Sequence, residues 1–208
     1  MWAHAGTRVH AGVMENLHAV VLAGGAATRM GGADKPGLTV AGRTLLEHVV
    51  ATVRAHDPNA GVTVVGPERE SPRARYVRED PPGDGPVPAL RAGLSQVSAA
   101  WVALLAADLP HLNPGHLAAL AGAAGEGADA GSAGAVFVDA GGREQWLTGI
   151  WHTEALRAAL ADYTGRSLYR LLGPLKPVHV PLADAPADFD VDTPEVLERV
   201  RRALDRPG

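Results

Sequence analysis

One glycine-rich stretch limits what this chain can fold into more than any other feature. Residues 22–35 read LAGGAATRMGGADK, and the apolar run 19–22 leads directly into them. Two glycine pairs let backbone N–H groups approach a phosphate that a Cβ atom would hold away. Arg29 and Lys35 add the positive charge that a triphosphate needs. The stretch therefore predicts a phosphate-binding loop at the end of a buried strand, in preference to a flexible surface loop.

Neither of the two commonest phosphate-binding patterns occurs in the sequence. It contains no G-x-x-x-x-G-K-[ST] string and no G-x-G-x-x-G string. The stretch instead resembles the nucleotidyltransferase signature L-A-G-G-x-x-x-R-M-G-x-x-K. Within that signature it is similar to the R-M-G-G-x-D-K of the molybdenum cofactor guanylyltransferases. The positions that carry the resemblance are Leu22, Ala23, Gly24, Gly25, Arg29, Met30, Gly31, Gly32, Asp34 and Lys35.

The composition is that of a globular protein with an ample core. The 208 residues are 46% hydrophobic and 20% charged, with a net charge of −4 and no cysteine. This balance argues against a general basic surface for nucleic acid, and the missing cysteine excludes a cysteine-ligated metal. No apolar stretch approaches the roughly 20 residues of a membrane span. We predict a soluble, cytoplasmic protein without nucleic-acid or membrane partners. Its residues 1–16 are expected to form a disordered extension, and residues 17–206 a single nucleotidyltransferase domain.

Apolar strands alternate with amphipathic helices along most of the chain. Strands are predicted at 19–22, 61–65 and 101–106, and the last is a continuous apolar run typical of a central parallel strand. Thr44 and Glu47 have the spacing of a capping box at a helix start. The alternation predicts the α/β class, a three-layer α/β/α arrangement around a doubly wound, mainly parallel sheet. The resemblance implies the nucleotide-diphospho-sugar transferase-like form of that fold.

The second half of the chain has weaker signals. Residues 122–132 are rich in alanine and glycine, which predicts a mobile connection. Residues 135–138 and 145–147 flank a turn with two glycines and predict a hairpin.

Acidic residues follow two further predicted strands. Asp80 comes shortly after residues 75–77, and Asp108 comes directly after residues 101–106. Because the carboxyl ends of strands in such a sheet lie together, we expect both carboxylates to lie beside the glycine-rich loop. The alternative for a lone aspartate is a structural role, in which its carboxylate caps the next turn. The sequence thus predicts one pocket built from three distant segments.

The resemblance implies a role for each residue of this pocket. It implies that Arg29, Lys35 and Asp108 are catalytic, and that Asp108 and Asp192 hold Mg²⁺. Asp190 is the alternative to Asp192, since either could instead cap the helix that starts near residue 193. The nucleotide-binding set that it implies is Leu22, Ala23, Gly24, Gly25, Lys35, Asp80 and Asp108.

The resemblance also implies the reaction, which is Mg²⁺-dependent transfer of GMP from GTP to the terminal phosphate of molybdopterin, with release of pyrophosphate. A molybdenum cofactor cytidylyltransferase is the nearest alternative, followed by a sugar-phosphate nucleotidyltransferase. A regulatory module that binds nucleotide without turnover is a third possibility. Gly24 and Gly25 favour guanine, because cytidylyltransferase relatives more often read L-A-A-G. The presence of both Lys35 and Asp108 argues against a protein that only binds nucleotide. A protein that delivers molybdopterin, or one associated with a molybdoenzyme, is a further candidate partner.

Overall fold

The computed structural model describes residues 9–10, 13–14, 17–24, 34–182, 191 and 193–204. Within these residues the strands are β1 (Val9–His10), β2 (Val13–Met14), β3 (Leu17–Leu22), β4 (Thr39–Val40), β5 (Arg43–Thr44), β6 (Gly61–Val65), β7 (Arg75–Val77), β8 (Trp101–Ala106), β9 (Gly134–Val138), β10 (Glu144–His152) and β11 (Val178–Pro181). The helices are α1 (Leu45–His56), α2 (Pro86–Leu94), α3 (Pro114–Ala128), α4 (Thr153–Ala161), α5 (Leu168–Leu172) and α6 (Pro194–Leu204). Short 3-10 turns lie at Lys35–Gly37 and Gly173–Leu175.

Seven of these strands form one sheet, in the order β11-β9-β10-β8-β3-β6-β7. β10 runs antiparallel to its neighbours β8 and β9, whereas the other neighbouring pairs are parallel. β8 is the central strand, and its residues from Trp101 to Leu105 are buried. A continuous apolar run at this place is what a strand covered on both faces requires. The prediction of a mainly parallel, doubly wound sheet is confirmed.

Helices cover both faces of this sheet. Along β3, Ala19 and Val21 pack in the cluster that contains α1 and α3, on one face. Val20 and Leu22 pack in the cluster that contains α2, α4 and α5, on the other face. The three-layer α/β/α arrangement is therefore also confirmed. None of the helices in the described part of the chain has the length and apolarity that a membrane crossing requires.

Two local predictions are confirmed in detail. At the start of α1, the hydroxyl of Thr44 accepts a hydrogen bond from the Glu47 N–H at 3.1 Å, and the Glu47 carboxylate accepts one from the Thr44 N–H at 2.7 Å. β9 and β10 form the predicted hairpin. In its turn, the carboxylate of Asp139 accepts hydrogen bonds from the N–H groups of Gly141 and Arg143, each at 2.9 Å. Both elements are thus stabilised by hydrogen bonds between side chains and the backbone. The residue types that form these bonds can be recognised in the sequence.

The prediction of a mobile connection over residues 122–132 is wrong, because α3 continues to Ala128. Ala124 is fully buried in this part of the helix. A Cβ atom at Gly127 would lie 2.4 Å from Cγ2 of Val178 in β11. Small residues therefore allow the helix to pack closely on the sheet, where larger ones would hold it away. The composition that suggested a loop reflects close packing instead.

Part of the N-terminal segment is described. β1 pairs with β2 in an antiparallel ladder, and the side chain of Met14 is fully buried in the cluster with α1 and α3. The other residues of 1–16 lie outside the described part of the chain, so the disordered extension stays a prediction. At the other end of the chain, α6 packs against Val40, Leu45 and Val191.

Candidate active site

The strands that lead into the predicted site segments end at one edge of the sheet. Leu22 of β3 is level with Val65 of β6 and with Ala106 of β8, and Val65 is level with Val77 of β7. A further backbone hydrogen bond, from the Ala23 N–H to the Val65 carbonyl at 2.9 Å, extends this ladder. The segments that follow β3, β7 and β8 therefore begin along a common edge.

Lys35 and Asp108 meet at this edge. Nζ of Lys35 forms an ion pair with Oδ2 of Asp108, and the two side chains are only 16% and 18% exposed. Lys35 begins the 3-10 turn that follows the glycine-rich loop, whereas Asp108 lies two residues beyond the end of β8. The fold thus brings together an ammonium group and a carboxylate from segments that are far apart in the sequence.

A second ion pair anchors the turn that carries Lys35. Arg69 donates hydrogen bonds to both carboxylate oxygens of Asp34, one of them at 2.7 Å. These bonds to Arg69 lower the pKa of Asp34 below its ordinary value. The Asp34 carbonyl also accepts a hydrogen bond from the Gly37 N–H at 3.0 Å. Because a two-pronged arginine–carboxylate pair fixes orientation as well as distance, it holds the backbone beside Lys35 in place.

The backbone of Asp108 contacts the segment that precedes α6. Its carbonyl oxygen accepts a hydrogen bond from the Val191 N–H at 3.2 Å, and the Val191 side chain is fully buried. Asp190 and Asp192 flank Val191 in the sequence, but both lie outside the described residues. Their assignment as metal ligands stays a prediction, while the residue between them lies against Asp108.

Most of the glycine-rich loop also falls outside the described residues. Gly25 and Arg29 belong to that part, so their roles stay predictions. Leu22 and Ala23 are buried in the core, with 8% and 5% exposed. Their backbone also bonds neighbouring segments, since the Leu22 carbonyl accepts a hydrogen bond from the Ala107 N–H, so their role in nucleotide binding stays a prediction. Gly24, by contrast, is exposed at the end of β3.

The sequence pattern indicated Asp80, which follows β7, as a site residue, and it did not indicate the neighbouring Glu79. Asp80 is exposed, whereas Glu79 is only 7% exposed. The Glu79 carboxylate accepts a hydrogen bond from the Gly83 N–H at 2.8 Å, and a Cβ atom on Gly24 would lie 3.6 Å from its Oε1. Glu79 comes two residues after the partly buried Val77, and that spacing in an extended chain could have indicated the inward position.

The segment around Asp80 lines a cleft and is linked by one ion pair to a loop from another part of the chain. Glu79 and Asp80 line a cleft of about 460 Å³ between α2 and the loop that follows α4. At the other end of the segment, Asp84 forms an ion pair with Arg166, which comes from that loop. This ion pair thus connects the turn between β7 and α2 to the loop that follows α4.

The sequence matches the family model described as the MobA-like NTP transferase domain over residues 19–179. The chain belongs to this family. It is 35% identical over 199 residues to the molybdenum cofactor guanylyltransferase of a Bradyrhizobium strain, a match that covers 88% of this chain and 91% of that protein. It is 30% identical over 204 residues to the probable molybdenum cofactor guanylyltransferase of Natronomonas pharaonis, with 89% and 96% covered.

The fold agrees with the family assignment. A nucleotidyl transferase from Methanothermobacter has a TM-score of 0.70 and 21% identity to this chain, and the match covers 92% of this chain and 99% of that one. The fold is therefore that of the nucleotide-diphospho-sugar transferases. As a member of the MobA-like NTP transferase family, the protein is a nucleotidyltransferase.

Enzymes that act on triphosphates commonly use a divalent cation. The side chains near Asp108 decide whether this site could hold one. No group of three or more His, Cys, Asp or Glu residues that could hold a metal occurs in the described part of the chain. Magnesium needs fewer protein ligands than that, because phosphate oxygens and water complete its coordination. The partly exposed carboxylate of Asp108 fits the role of one such ligand.

Proposed function

We propose that this MobA-like NTP transferase transfers GMP from GTP to the terminal phosphate of molybdopterin, releasing pyrophosphate and forming the guanine dinucleotide cofactor. The observation that carries the proposal is the ion pair between Lys35 and Asp108 at the carboxyl edge of the sheet. The choice of substrates is supported by relatives named molybdenum cofactor guanylyltransferase that match nearly the full length of the chain.

The proposed reaction is a phosphoryl-group displacement. An oxygen of the molybdopterin phosphate attacks the α-phosphorus of GTP, and the bond from that phosphorus to the oxygen bridging to the β-phosphate breaks. The electron pair of the broken bond leaves with pyrophosphate. The attacking phosphate is already ionised, so the reaction needs no general base. What the protein must supply is alignment and neutralisation of charge.

Lys35 is proposed to supply positive charge to the triphosphate. In the free protein its ammonium group is paired with Asp108, so it is already held at the strand ends. Once nucleotide is bound, that charge stabilises the departing pyrophosphate. Arg29 and the backbone amides of Gly24 and Gly25 are proposed to support the same negative charge, as their places in the motif suggest.

Asp108 is proposed to hold Mg²⁺, with Asp192 as the second carboxylate. Bound Mg²⁺ supplies neutralisation of the charge on the reacting phosphates. The hydrogen bond between Val191 and the Asp108 carbonyl supports the inclusion of Asp192, which is the next residue in the chain. Asp80 is proposed to border the nucleotide on the Gly24 side.

Guanine is the proposed base because Gly24 and Gly25 complete the L-A-G-G motif and the relatives are named for guanylyl transfer. Pyrophosphate release measured with GTP and with CTP, each with and without molybdopterin, tests this choice. We expect turnover only with GTP and molybdopterin together. Turnover with CTP in place of GTP would identify a cytidylyltransferase. Binding of GTP without pyrophosphate release would identify a regulatory module.

Removing either charge of the central pair should impair turnover. We expect Lys35→Ala and Asp108→Ala each to lower kcat by roughly 10²–10³, the usual effect of losing one electrostatic contact to the transition state. Arg202→Ala, which removes an exposed cation on α6, is the matched control and should leave kcat unchanged. Circular dichroism should show native secondary structure in all three variants. Near-normal turnover in both active-site variants would make the site assignment wrong.

The location, the catalytic unit and a partner of the protein are also proposed. A reaction that consumes GTP suits the cytoplasm, where we propose that the protein works. We further propose that residues 17–206 form the catalytic unit, and that a protein delivering molybdopterin or a molybdoenzyme-associated protein acts as its partner.

A further inference from the structure

Glu79 is a buried carboxylate for which the proposed reaction has no use. Only 7% of this residue is exposed, and among the residues that the structure describes it is the most deeply buried acidic one. Burying a carboxylate is costly unless hydrogen bonds compensate for the lost water. The contacts of the Glu79 carboxylate therefore indicate what this side chain does in the fold.

One oxygen of Glu79 lies between two segments of the chain. Its Oε1 accepts a hydrogen bond from the Gly83 N–H at 2.8 Å. A Cβ atom added to Gly24 would lie 3.6 Å from the same oxygen, which is an ordinary van der Waals distance. Gly24 directly follows β3, and Gly83 belongs to residues 80–85 between β7 and α2, which we call the 80–85 turn. The carboxylate thus lies between the end of β3 and this turn.

The side chain of Glu79 reaches past the end of β6 to make this connection. β3 and β7 pair with opposite sides of β6, so these two strands are about 10 Å apart. Val65 of β6 is level with Leu22 of β3 and with Val77 of β7. Glu79 comes two residues after Val77, and its side chain covers the remaining distance to Gly24. A long side chain is therefore needed at this position.

The backbone of the 80–85 turn has little packing at its glycines. Gly83 and Gly85 have φ angles of +82° and +105°, in the region that favours glycine. A Cβ atom on either residue would meet no neighbouring atom within 4 Å. Side-chain packing at these two positions therefore does not hold the turn, and its hydrogen bonds matter more.

The turn has two described links to other side chains, and they differ in strength. Asp84 forms an ion pair with Arg166, but the Arg166 side chain is 75% exposed, and exposed ion pairs contribute little. The hydrogen bond from the Gly83 N–H to Glu79 has a charged acceptor that is shielded from water. Hydrogen bonds of this kind are stronger than neutral ones. The Glu79 bond is thus the stronger of the two links.

The charge of Glu79 makes direct contact with the triphosphate unfavourable, because a carboxylate and a phosphate repel each other. Its neighbour Asp80 differs, since Asp80 is exposed and is proposed to border the nucleotide. The backbone runs directly from the buried Glu79 to Asp80. Anchoring the side chain of Glu79 therefore fixes the point from which Asp80 extends.

We propose that Glu79 is a positioning residue for the nucleotide. Its carboxylate holds the 80–85 turn against the end of β3, and it thereby fixes the wall of the site that carries Asp80. Glu79 acts through the reach of its side chain and its acceptor oxygen, and its negative charge is not required. This inference rests on the proposed guanylyl transfer, which supplies the nucleotide that this wall borders.

Two conservative variants separate reach from charge. Glu79→Gln keeps the length and an acceptor oxygen but loses the charge, whereas Glu79→Asp keeps the charge and is one methylene shorter. We expect Glu79→Asp and Glu79→Ala to raise KM for GTP about tenfold, as the loss of one hydrogen bond would, and to leave kcat within about threefold. Glu79→Gln should keep both constants close to those of the unmodified protein. Glu126→Ala, which removes an exposed carboxylate from α3, is the matched control and should change neither.

The opposite pattern would overturn the inference. A tenfold rise in KM for GTP in Glu79→Gln, with a normal KM in Glu79→Asp, would show that the charge acts and the reach does not. A normal KM in Glu79→Ala would show that the turn needs no anchor.

Hydrogen exchange followed by mass spectrometry tests the turn itself, without nucleotide. Pro81, Pro82 and Pro86 have no N–H, so a peptide over residues 79–86 reports few amides, that of Gly83 among them. We expect this peptide to exchange about tenfold faster in Glu79→Ala than in the unmodified protein, because local opening of the turn becomes easier. Glu79→Gln should retain slow exchange. Unchanged exchange in Glu79→Ala overturns the inference.

Titration of GTP and of CTP without molybdopterin separates this inference from the proposed function. If the unmodified protein binds GTP but releases no pyrophosphate with molybdopterin, the proposed function fails, and tenfold weaker binding in Glu79→Ala still supports the role of Glu79. If CTP binds instead, the same comparison is made with CTP. Equal nucleotide affinity in Glu79→Ala and the unmodified protein overturns the role of Glu79 and leaves guanylyl transfer intact. A lower Tm with unchanged affinity also overturns it, because that result indicates a purely structural role.

Discussion

Gly37 leaves the space that the carboxylate of Asp34 occupies. A Cβ atom at Gly37 would lie 2.3 Å from Oδ2 of Asp34 and 3.0 Å from Nη1 of Arg69. The first of these distances is too short for any real contact, so alanine would push the ion pair apart. This pair holds the turn in which Lys35 begins, and the glycine therefore contributes to the position of a proposed catalytic side chain without touching the substrate.

Breaking the Asp34–Arg69 pair should affect catalysis more than stability. We expect Arg69→Ala and Gly37→Ala to lower kcat/KM for GTP about tenfold, because a small displacement of an aligned group is costly. The Tm should change little, since an ion pair with an exposed partner contributes less than about 1 kcal/mol. Arg73→Ala removes a nearby exposed cation and should behave like the unmodified protein. Unchanged kcat/KM in Arg69→Ala would show that Lys35 does not depend on this pair.

Two glycines in α3 have different surroundings. The start of this helix is defined by a capping box, in which the side chain of Asn113 accepts a hydrogen bond from the His116 N–H at 3.0 Å. Further along, Gly122 has open space where a Cβ atom would be, whereas Gly127 lies against Val178 and Ser132. Only the second glycine is needed for the close approach of the helix to the sheet.

The two glycines provide a matched pair of substitutions in α3. Gly122→Ala should raise the free energy of unfolding by up to about 1 kcal/mol, because alanine favours the helix and meets no neighbour. Gly127→Ala should lower it by about 1–3 kcal/mol, because the added methyl group overpacks the contact with β11. Urea unfolding of both variants gives the measurement. If Gly127→Ala proved as stable as Gly122→Ala, the close contact between α3 and β11 would not exist.

Two histidines link the stability of the whole fold to pH. Burial lowers the pKa of His18, and nearby Arg75 lowers it further; Nε2 of His18 lies 2.9 Å from the Thr63 hydroxyl. Burial also lowers the pKa of His56, which is only 7% exposed at the end of α1. Both side chains thus favour the neutral form in the folded protein. As the pH falls below the ordinary value of 6.5, the unfolded chain takes up protons before the folded protein does.

The free energy of unfolding should therefore fall as the pH is lowered from 7 to 5. We expect a decrease in Tm of a few degrees over this interval. The double variant His18→Gln with His56→Leu removes both groups and should show a smaller decrease. Thermal unfolding followed by circular dichroism at several pH values makes the comparison. Parallel pH profiles for the variant and the unmodified protein would mean that other groups cause the effect.

Local signals in the sequence determined the α/β class, the apolar strands, the hairpin and the capping box at Thr44. They also indicated that the glycine-rich loop and Asp108 lie at one edge, because parallel strands must end together. The Lys35–Asp108 pair in the structure agrees with that expectation. These features could be predicted because each depends on a short pattern or on a general rule of sheet topology.

The tertiary structure alone decided which side chains face one another across distant segments. It placed the buried Glu79 beside Gly24 and left Asp80 exposed, and it extended α3 through residues that resemble a loop. It also inserted the antiparallel β10 between β8 and β9. These contacts depend on how strands and helices from the whole chain pack together. Short sequence patterns therefore do not predict them.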